Sequence, residues 1–343
     1  MILVTGGAGY IGSQSAKALR VAGYRVVIFD NLSAGHREAA LGAPLIEGDV
    51  RDVDAVRCAI RESRASAVMH FAARLVVAES MHDPAGYYET NVRGALATLE
   101  AMAVERCHLF IFSSTCAVYG EPTEVPLRET HPTAPISPYG QTKLAVEQAL
   151  PHFERAYGIR SIRLRYVNAA GADPEGDLGE DHTPEVHAIP RAFDAASGGP
   201  PFEIFGEDYP TRDGTCLRDY VHVADLADAH LRALHRLEQG GASATYNVGT
   251  ERPSSVREVL SAVERVTGRA VPHRSAPRRP GDPAMLHAST ARIREALRWV
   301  PQRAELETIV SDAWRWHSTH PRGFQVTPRP GSPPRTPARW GGG

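Results

Sequence analysis

Two hydrophobic patterns alternate along the first half of this chain. Short, largely apolar runs over 2–4, 25–29, 44–47, 67–70, 109–112 and 161–164 predict strands. Between them, apolar residues spaced three and four apart predict helices over 11–22, 52–63, 84–104 and 138–157. The strand runs do not alternate apolar with polar, which is how a strand buried on both faces reads. Strand–helix alternation of this kind predicts an α/β protein with a doubly wound parallel sheet. Pro151 falls inside the last of these helices and predicts a kink or break, because it removes a backbone bond and crowds the preceding turn.

The pattern changes after residue 168. Gly, Asp, Pro and Ala dominate 168–184, which reads as loop, and a helix over 186–197 follows. A strand over 215–223, a helix over 224–238 and a strand over 245–248 look like sheet elements again. Further helices are expected near 254–267, 290–298 and 304–317. The expected organisation is a main domain over 1–168, rejoined by about 215–250. A smaller α/β lobe, discontinuous in sequence, is expected from 169–214 and 251–320. The remainder, 321–343, is rich in Pro, Arg, Gly and Ser with no apolar period, and is expected to be a disordered tail.

Composition adds mostly exclusions. A formal charge of −2 over 343 residues gives no electrostatic case for nucleic acid or an anionic membrane as partner. The apolar runs are too short to span a bilayer. The first strand starts at the first residues, so a cleaved leader is not expected. Cys58, Cys107, Cys116 and Cys216 are far apart with no Cys-x-x-Cys, and no paired histidine spacing looks like a zinc site, so no metal site is expected. This fits a reducing, cytoplasmic setting.

The basic residues are more informative. Of 38, only Lys17 and Lys143 are lysine. Lys143 lies four residues after Tyr139, so a helix puts both on one face. A site needing a compact ammonium on a flexible stem cannot substitute arginine. A nearby cation favours a phenolate, so the pair suits a tyrosine that must lose a proton near neutral pH. Ser137 is a candidate helix cap with Pro138 in the first turn, which places Tyr139 where the helix dipole also favours an anion.

Residues 2–12 run strand, glycine turn, helix, with Gly6, Gly9 and Gly12 three apart. Such a turn lets backbone approach a pyrophosphate and aims the N–H groups of the helix start, Tyr10 and Ile11 among them, at it. The second strand ends in Asp30-Asn31. A carboxylate there accepts from both ribose hydroxyls and repels a 2′-phosphate, favouring NAD over NADP. Asp49 and Val50, after the third strand, are placed to reach the adenine. Ser113-Ser114-Thr115 closes another strand at its carboxyl end, where ligands bind in open α/β sheets. With Tyr139 and Lys143, Thr115 completes a hydroxyl–phenol–ammonium set. The chemistry implied is reversible proton removal from an alcohol while its hydride passes to nicotinamide.

These residues resemble the extended short-chain dehydrogenase/reductase family. Within it they look like the epimerases that interconvert UDP-glucose and UDP-galactose at C4. The resemblance runs to roughly residue 317. It is carried by Gly6–Gly12, by Asp30-Asn31, by Gly48-Asp49-Val50, by Ser113-Ser114-Thr115 with Val118-Tyr119-Gly120, by Arg165-Tyr166-Val167-Asn168, by 214–223 and by Arg278-Arg279-Pro280-Gly281-Asp282. It implies a Rossmann-type fold, a tightly held NAD, a UDP-sugar substrate and a homodimer. Tyr139 takes the 4-hydroxyl proton, Lys143 lowers the tyrosine pKa and binds the nicotinamide ribose, and Thr115 hydrogen-bonds the 4-oxygen. Phe71, Ala72, Asn91 and Tyr166 line the cofactor. Asn168, His187, Arg218, Arg279 and Asp282 hold the nucleotide sugar, and Leu286 falls at a pocket-wall position that screens the C2 substituent.

The chain departs from the family pattern in places. Thr115 stands for a more usual serine, Leu75 for a cofactor-contacting lysine, Val167 for a phenylalanine and His187 for an asparagine. A nucleotide-sugar dehydratase needs an Asp-Glu pair after the strand-end hydroxyl, and this chain has Cys116-Ala117 instead. A 4-epimerase of N-acetylated, pentose or uronate UDP-sugars, or a non-catalytic NAD-binding regulator, stays open at this level.

Overall fold

The computed structural model describes residues 1–279 and 283–324. The six predicted strand runs form β1 (Ile2–Thr5), β2 (Val26–Asp30), β3 (Leu45–Glu47), β4 (Ala67–His70), β5 (Leu109–Thr115) and β6 (Arg160–Tyr166). With the Ala244–Val248 strand they make one seven-stranded sheet, all pairs parallel, in the order Ala244–Val248, β6, β5, β4, β1, β2, β3. The order reverses between β1 and β4, and a ligand crevice opens outside the carboxyl ends of strands at such a point.

Neighbouring residues on each strand feed different cores. Ile2, Val4, Val26, Ile28, Met69, Ile111 and Ile162 pack on one face. There they meet Ala16 and Leu19 of helix α1 (Tyr10–Val21) and Leu226, Ala233 and Leu237 of the Val223–Glu238 helix. Leu3, Val27, Phe29, Val68, Phe110 and Phe112 face the other way. Helix α2 (Val53–Ser63), the Gly94–Val104 helix and the Pro138–Tyr157 helix cover them. Both faces are dry, which is why the strands show no polar alternation.

A third core gathers Ile189 and Phe193, Phe202 and Ile204, Val259 and Val263, and Ile309 and Val310. It joins the Ala188–Ala196, Val256–Thr267 and Leu306–Thr319 helices.

Three local expectations change. The Pro138–Tyr157 helix runs on through Pro151. An interior proline costs about 3 kcal/mol. Val146 and Leu150, fully buried in the turn before Pro151, each contribute about 1.5–3 kcal/mol, enough to hold the helix together. The 84–104 run is not one α-helix. It is Pro84–Tyr87, a wider π-helical turn over Tyr88–Arg93, then Gly94–Val104. The 215–223 run is two short strands, Leu217–Arg218 and Tyr220–His222, and neither joins the main sheet. Asp219 separates them, and its carboxylate accepts from Thr250 N at 3.0 Å. Asp282 and the tail over 325–343 lie outside the described residues.

Candidate active site

Just after β1 comes Gly6, whose φ is +70° and whose missing Cβ would stand 2.5 Å from Ala72 N. A side chain there would drive the ends of β1 and β4 apart. A Cβ on Gly12 would stand 2.1 Å from Gly6 O, so the helix start could not close on the turn. Gly9 is different: a Cβ there would meet only Gly6 O, at 3.4 Å. Its side faces away from the packing, and it starts α1 without a side-chain cap. Bare backbone and helix-start N–H groups at Tyr10, Ile11 and Gly12 fit a pyrophosphate.

Asp30 closes the same cradle. Oδ2 accepts from Ala8 N and Oδ1 from Leu32 N, both at 2.9 Å. Burial pushes its pKa up while these two bonds oppose the shift. Each oxygen keeps acceptor capacity beyond its one N–H, so two ribose hydroxyls suit it. Asn31 Nδ2 donates to Asp49 Oδ2 at 3.0 Å, and Arg51 holds Asp49 well below the usual carboxylate range. Phe71 packs on the His230 ring at 4.7 Å. Phe71 N and Ala72 N both donate to Thr5 O, and Val50 is buried.

The hydroxyl–phenol–ammonium set comes together across the β5 end and the next helix. Ser137 Oγ accepts from Gly140 N at 3.2 Å, Pro138 opens the first turn, and Tyr139 follows. The Thr115 hydroxyl, which accepts from Ala117 N, lies close enough to the Tyr139 phenol to oppose its rise in pKa. Lys143 is 4% exposed. Its Nζ donates to Ser113 O at 2.9 Å and lies 5.0 Å from the centre of the Phe112 ring.

Titration differs from the sequence expectation. Burial lowers Lys143 to about 8, opposed by the carboxylate of Glu147. Burial raises Tyr139 to about 12, with the Thr115 hydroxyl opposing. In this geometry desolvation outweighs any acidifying effect of Lys143 on the phenol. Tyr166, also pushed up by burial, pairs its hydroxyl with Ser113 and lies near enough to Tyr139 to be affected by its charge.

The other expected contacts are spread out. Asn91, in the π turn, accepts from Arg74 N at 2.8 Å and donates to Arg74 O and to Thr142 Oγ1, so its amide ties a loop to the Pro138–Tyr157 helix. Asn168 N donates to Asp219 O. Arg218 Nη1 donates to Leu217 O and Pro283 O, and the Arg279 guanidinium lies 3.7 Å from the centre of the Phe205 ring. His187 Nδ1 lies 2.6 Å from Glu180 and 3.2 Å from Glu185. Leu286 and Val167 pack on the cluster that holds Cys116 and Val118, next to Thr115.

Sequence reasoning missed Ser113 as the anchor of both Lys143 and Tyr166, and Glu147 as a buried partner of Arg165. Glu147 had a signal: with Tyr139 and Lys143 it continues one i, i+4 stripe. Lys17, the other lysine, meets Asp173, Glu175 and Asp177 within 2.8 Å, again as a compact ammonium among several acceptors.

A Rossmann-type sheet with a glycine cradle, a ribose carboxylate and a tyrosine–lysine pair defines a nicotinamide-dependent class. Residues 2–249 match the model of the NAD dependent epimerase/dehydratase family, and the chain belongs to that family. It is 50% identical to the UDP-glucose 4-epimerase of Rhizobium leguminosarum bv. trifolii over 318 residues, 92% of this chain and 97% of that one. The UDP-glucose 4-epimerase from Brucella ovis, solved in complex with NAD, superposes with a TM-score of 0.90 at 45% identity, covering 92% of this chain and 98% of that one. A Stenotrophomonas maltophila UDP-glucose-4-epimerase with bound NAD and formylated UDP-arabinopyranose gives 0.90 at 38% identity, covering 94% and 98%.

Proposed function

We propose that this protein interconverts UDP-glucose and UDP-galactose by transient oxidation at the sugar C4, with NAD held in the Gly6–Gly12 cradle. The observation that carries the reading is the convergence of Thr115, Tyr139 and Lys143 at the carboxyl end of β5.

Bound NAD supplies a reversible hydride acceptor beside that set. The Thr115 hydroxyl faces the Tyr139 phenol closely enough to affect its pKa, so a sugar 4-hydroxyl placed between the two would meet one donor and one proton acceptor. Tyr139 takes the 4-hydroxyl proton as C4 becomes a ketone. It returns the proton after the 4-keto sugar presents its other face. A phenol raised to about 12 is too weak an acid to lose its proton unaided at neutral pH, so a positive charge from bound cofactor must oppose the desolvation. Lys143, lowered only to about 8, stays mostly charged at neutral pH and adds to that field. Cys116-Ala117, with Cys116 fully buried, offers no acid pair to expel water, so the 4-keto sugar is returned rather than dehydrated.

The same reading assigns NAD to the domain over 1–168 and about 215–250. It assigns the nucleotide sugar to a lobe from 169–214 and 251–320, whose own core unites its helices. Asn168, His187, Arg218, Arg279 and Asp282 belong to its binding surface. Setting and assembly are part of the proposal: a cytoplasmic homodimer acting in galactose metabolism. Free cysteines at 58, 107, 116 and 216 support a reducing compartment. No helix among the described residues is long and apolar enough to cross a membrane. Static light scattering at micromolar concentration is expected to give twice the chain mass, and a monomer would overturn that part.

The deciding experiment on the chemistry is Tyr139→Phe. It is expected to lower kcat by about 10²–10⁴-fold while UDP and NAD still bind. Turnover within tenfold of the unsubstituted protein would sink the assignment.

A further inference from the structure

The segment 180–187 folds four ligand-type side chains into one knot. Glu180, His182, Glu185 and His187 each bring one donor atom, and all four atoms lie within 4.8 Å of one another. His187 Nδ1 is 2.6 Å from Glu180 Oε1 and 3.2 Å from Glu185 Oε1. His182 Nδ1 is 3.3 Å from Glu180 Oε1 and 3.9 Å from Glu185 Oε2.

The spacing is close to what a small tetrahedral ion imposes. Zinc binds imidazole nitrogen and carboxylate oxygen at about 2.0–2.2 Å, which sets ligand atoms roughly 3.4 Å apart. Three of the four distances are shorter than that and one is longer; the 2.6 Å contact between His187 and Glu180 is a charge-assisted pair that an incoming ion would open. The knot is also incompletely satisfied. The Glu180 side chain is 7% exposed and the His182 side chain 15%. Yet Glu180 Oε1 and His182 Nδ1 are buried atoms with no hydrogen-bond partner. They lie near opposite charge without the alignment of an N–H···O bond, so each has an unused lone pair or donor inside the knot. Lys17, the nearby ammonium hub, is spent on Asp173, Glu175 and Asp177.

We propose that Glu180, His182, Glu185 and His187 form a divalent transition-metal site, with zinc as the ion that best fits two imidazoles and two carboxylates. Neutral imidazole and carboxylate together suit zinc better than magnesium or calcium, which favour all-oxygen sets. The ion pins a loop against the cofactor cradle. His182 packs edge-on to the ring of Tyr10, the first residue of α1, at 6.3 Å. His187 starts the Ala188–Ala196 helix of the third core. Zinc held there fastens that helix to the glycine turn, a structural role that leaves the proton chemistry at Tyr139 untouched.

The full chain, stripped with chelator and dialysed, is titrated with zinc chloride by calorimetry and with cobalt(II) by visible absorption. One equivalent of zinc is expected to bind, with tetrahedral cobalt bands and no sulfur-to-cobalt charge-transfer band. His182→Asn and Glu180→Gln are each expected to weaken zinc by more than the about 10–100-fold that loss of an outer partner costs. Circular dichroism of each variant in chelator establishes that it is folded. If either fails to fold, the cobalt spectrum of the unsubstituted protein decides. Absence of saturable zinc binding, a sulfur charge-transfer band, or unchanged affinity in both folded variants would overturn the site.

Discussion

Lys143→Met isolates the energetic consequence of burying the ammonium. Burial lowers Lys143 from 10.5 to about 8. At about 1.4 kcal/mol per pH unit, holding it charged costs the fold roughly 3 kcal/mol at neutral pH. Methionine matches the stem in length and flexibility and removes the charge. Losing the bond to Ser113 O offsets about 1 kcal/mol of the gain. The variant is therefore expected to be about 2 kcal/mol more stable at pH 7, and far less active. The sign of the pH dependence follows from the folded pKa lying below the unfolded one. Between about 8 and 10.5 the unfolded chain carries a proton that the folded chain has released. Stability of the unsubstituted protein thus rises through that window relative to the variant, and the penalty is fully present below 8. The assay is equilibrium urea unfolding of nucleotide-free protein, followed by tryptophan fluorescence, for both proteins at pH 7 and pH 10. Between pH 7 and pH 10 the difference should move by about 2.5 kcal/mol, cancelling or slightly reversing the variant's advantage. A variant less stable at pH 7, or a difference that does not move with pH, refutes the claim that desolvation dominates at Lys143.

Other expectations test the surroundings. Glu147→Ala leaves the Arg165 guanidinium, 6% exposed, without its carboxylate. It should lower stability by about 3–5 kcal/mol, and adding Arg165→Met should recover most of this in the same unfolding assay. Leu286 packs on the cluster beside Thr115. If Leu286 walls the sugar pocket, leucine, smaller than tyrosine, should admit an acetamido group but offer it no hydrogen bond, a shortfall of about 1–3 kcal/mol. UDP-N-acetylgalactosamine should therefore be turned over less efficiently than UDP-galactose, and Leu286→Tyr should lower its kcat/KM further against that of UDP-galactose. An unchanged ratio would remove Leu286 from the pocket wall.

Much of the site was legible because it depends on near neighbours. The glycine spacing, the Asp30 strand end, the Ser137 cap and the Tyr139–Lys143 stripe each involve residues a few positions apart, where strand and helix periods dictate which side chains share a face. The parallel sheet was legible for a related reason: strands covered on both faces need apolar residues at consecutive positions. Two of the departures turn on long-range contact. Pro151 stays helical because Val146 and Leu150 bury against the sheet. The 215–223 run splits because Asp219 is claimed by Thr250, 31 positions away. The direction in which Tyr139 titrates was set by how tightly distant segments enclose it, and chain spacing carries no record of desolvation. The glutamate–histidine knot at 180–187 does not read as a metal site in the sequence, where no paired histidine spacing looks like one. Only folding of that loop against Tyr10 brought its four donor atoms within reach of one ion.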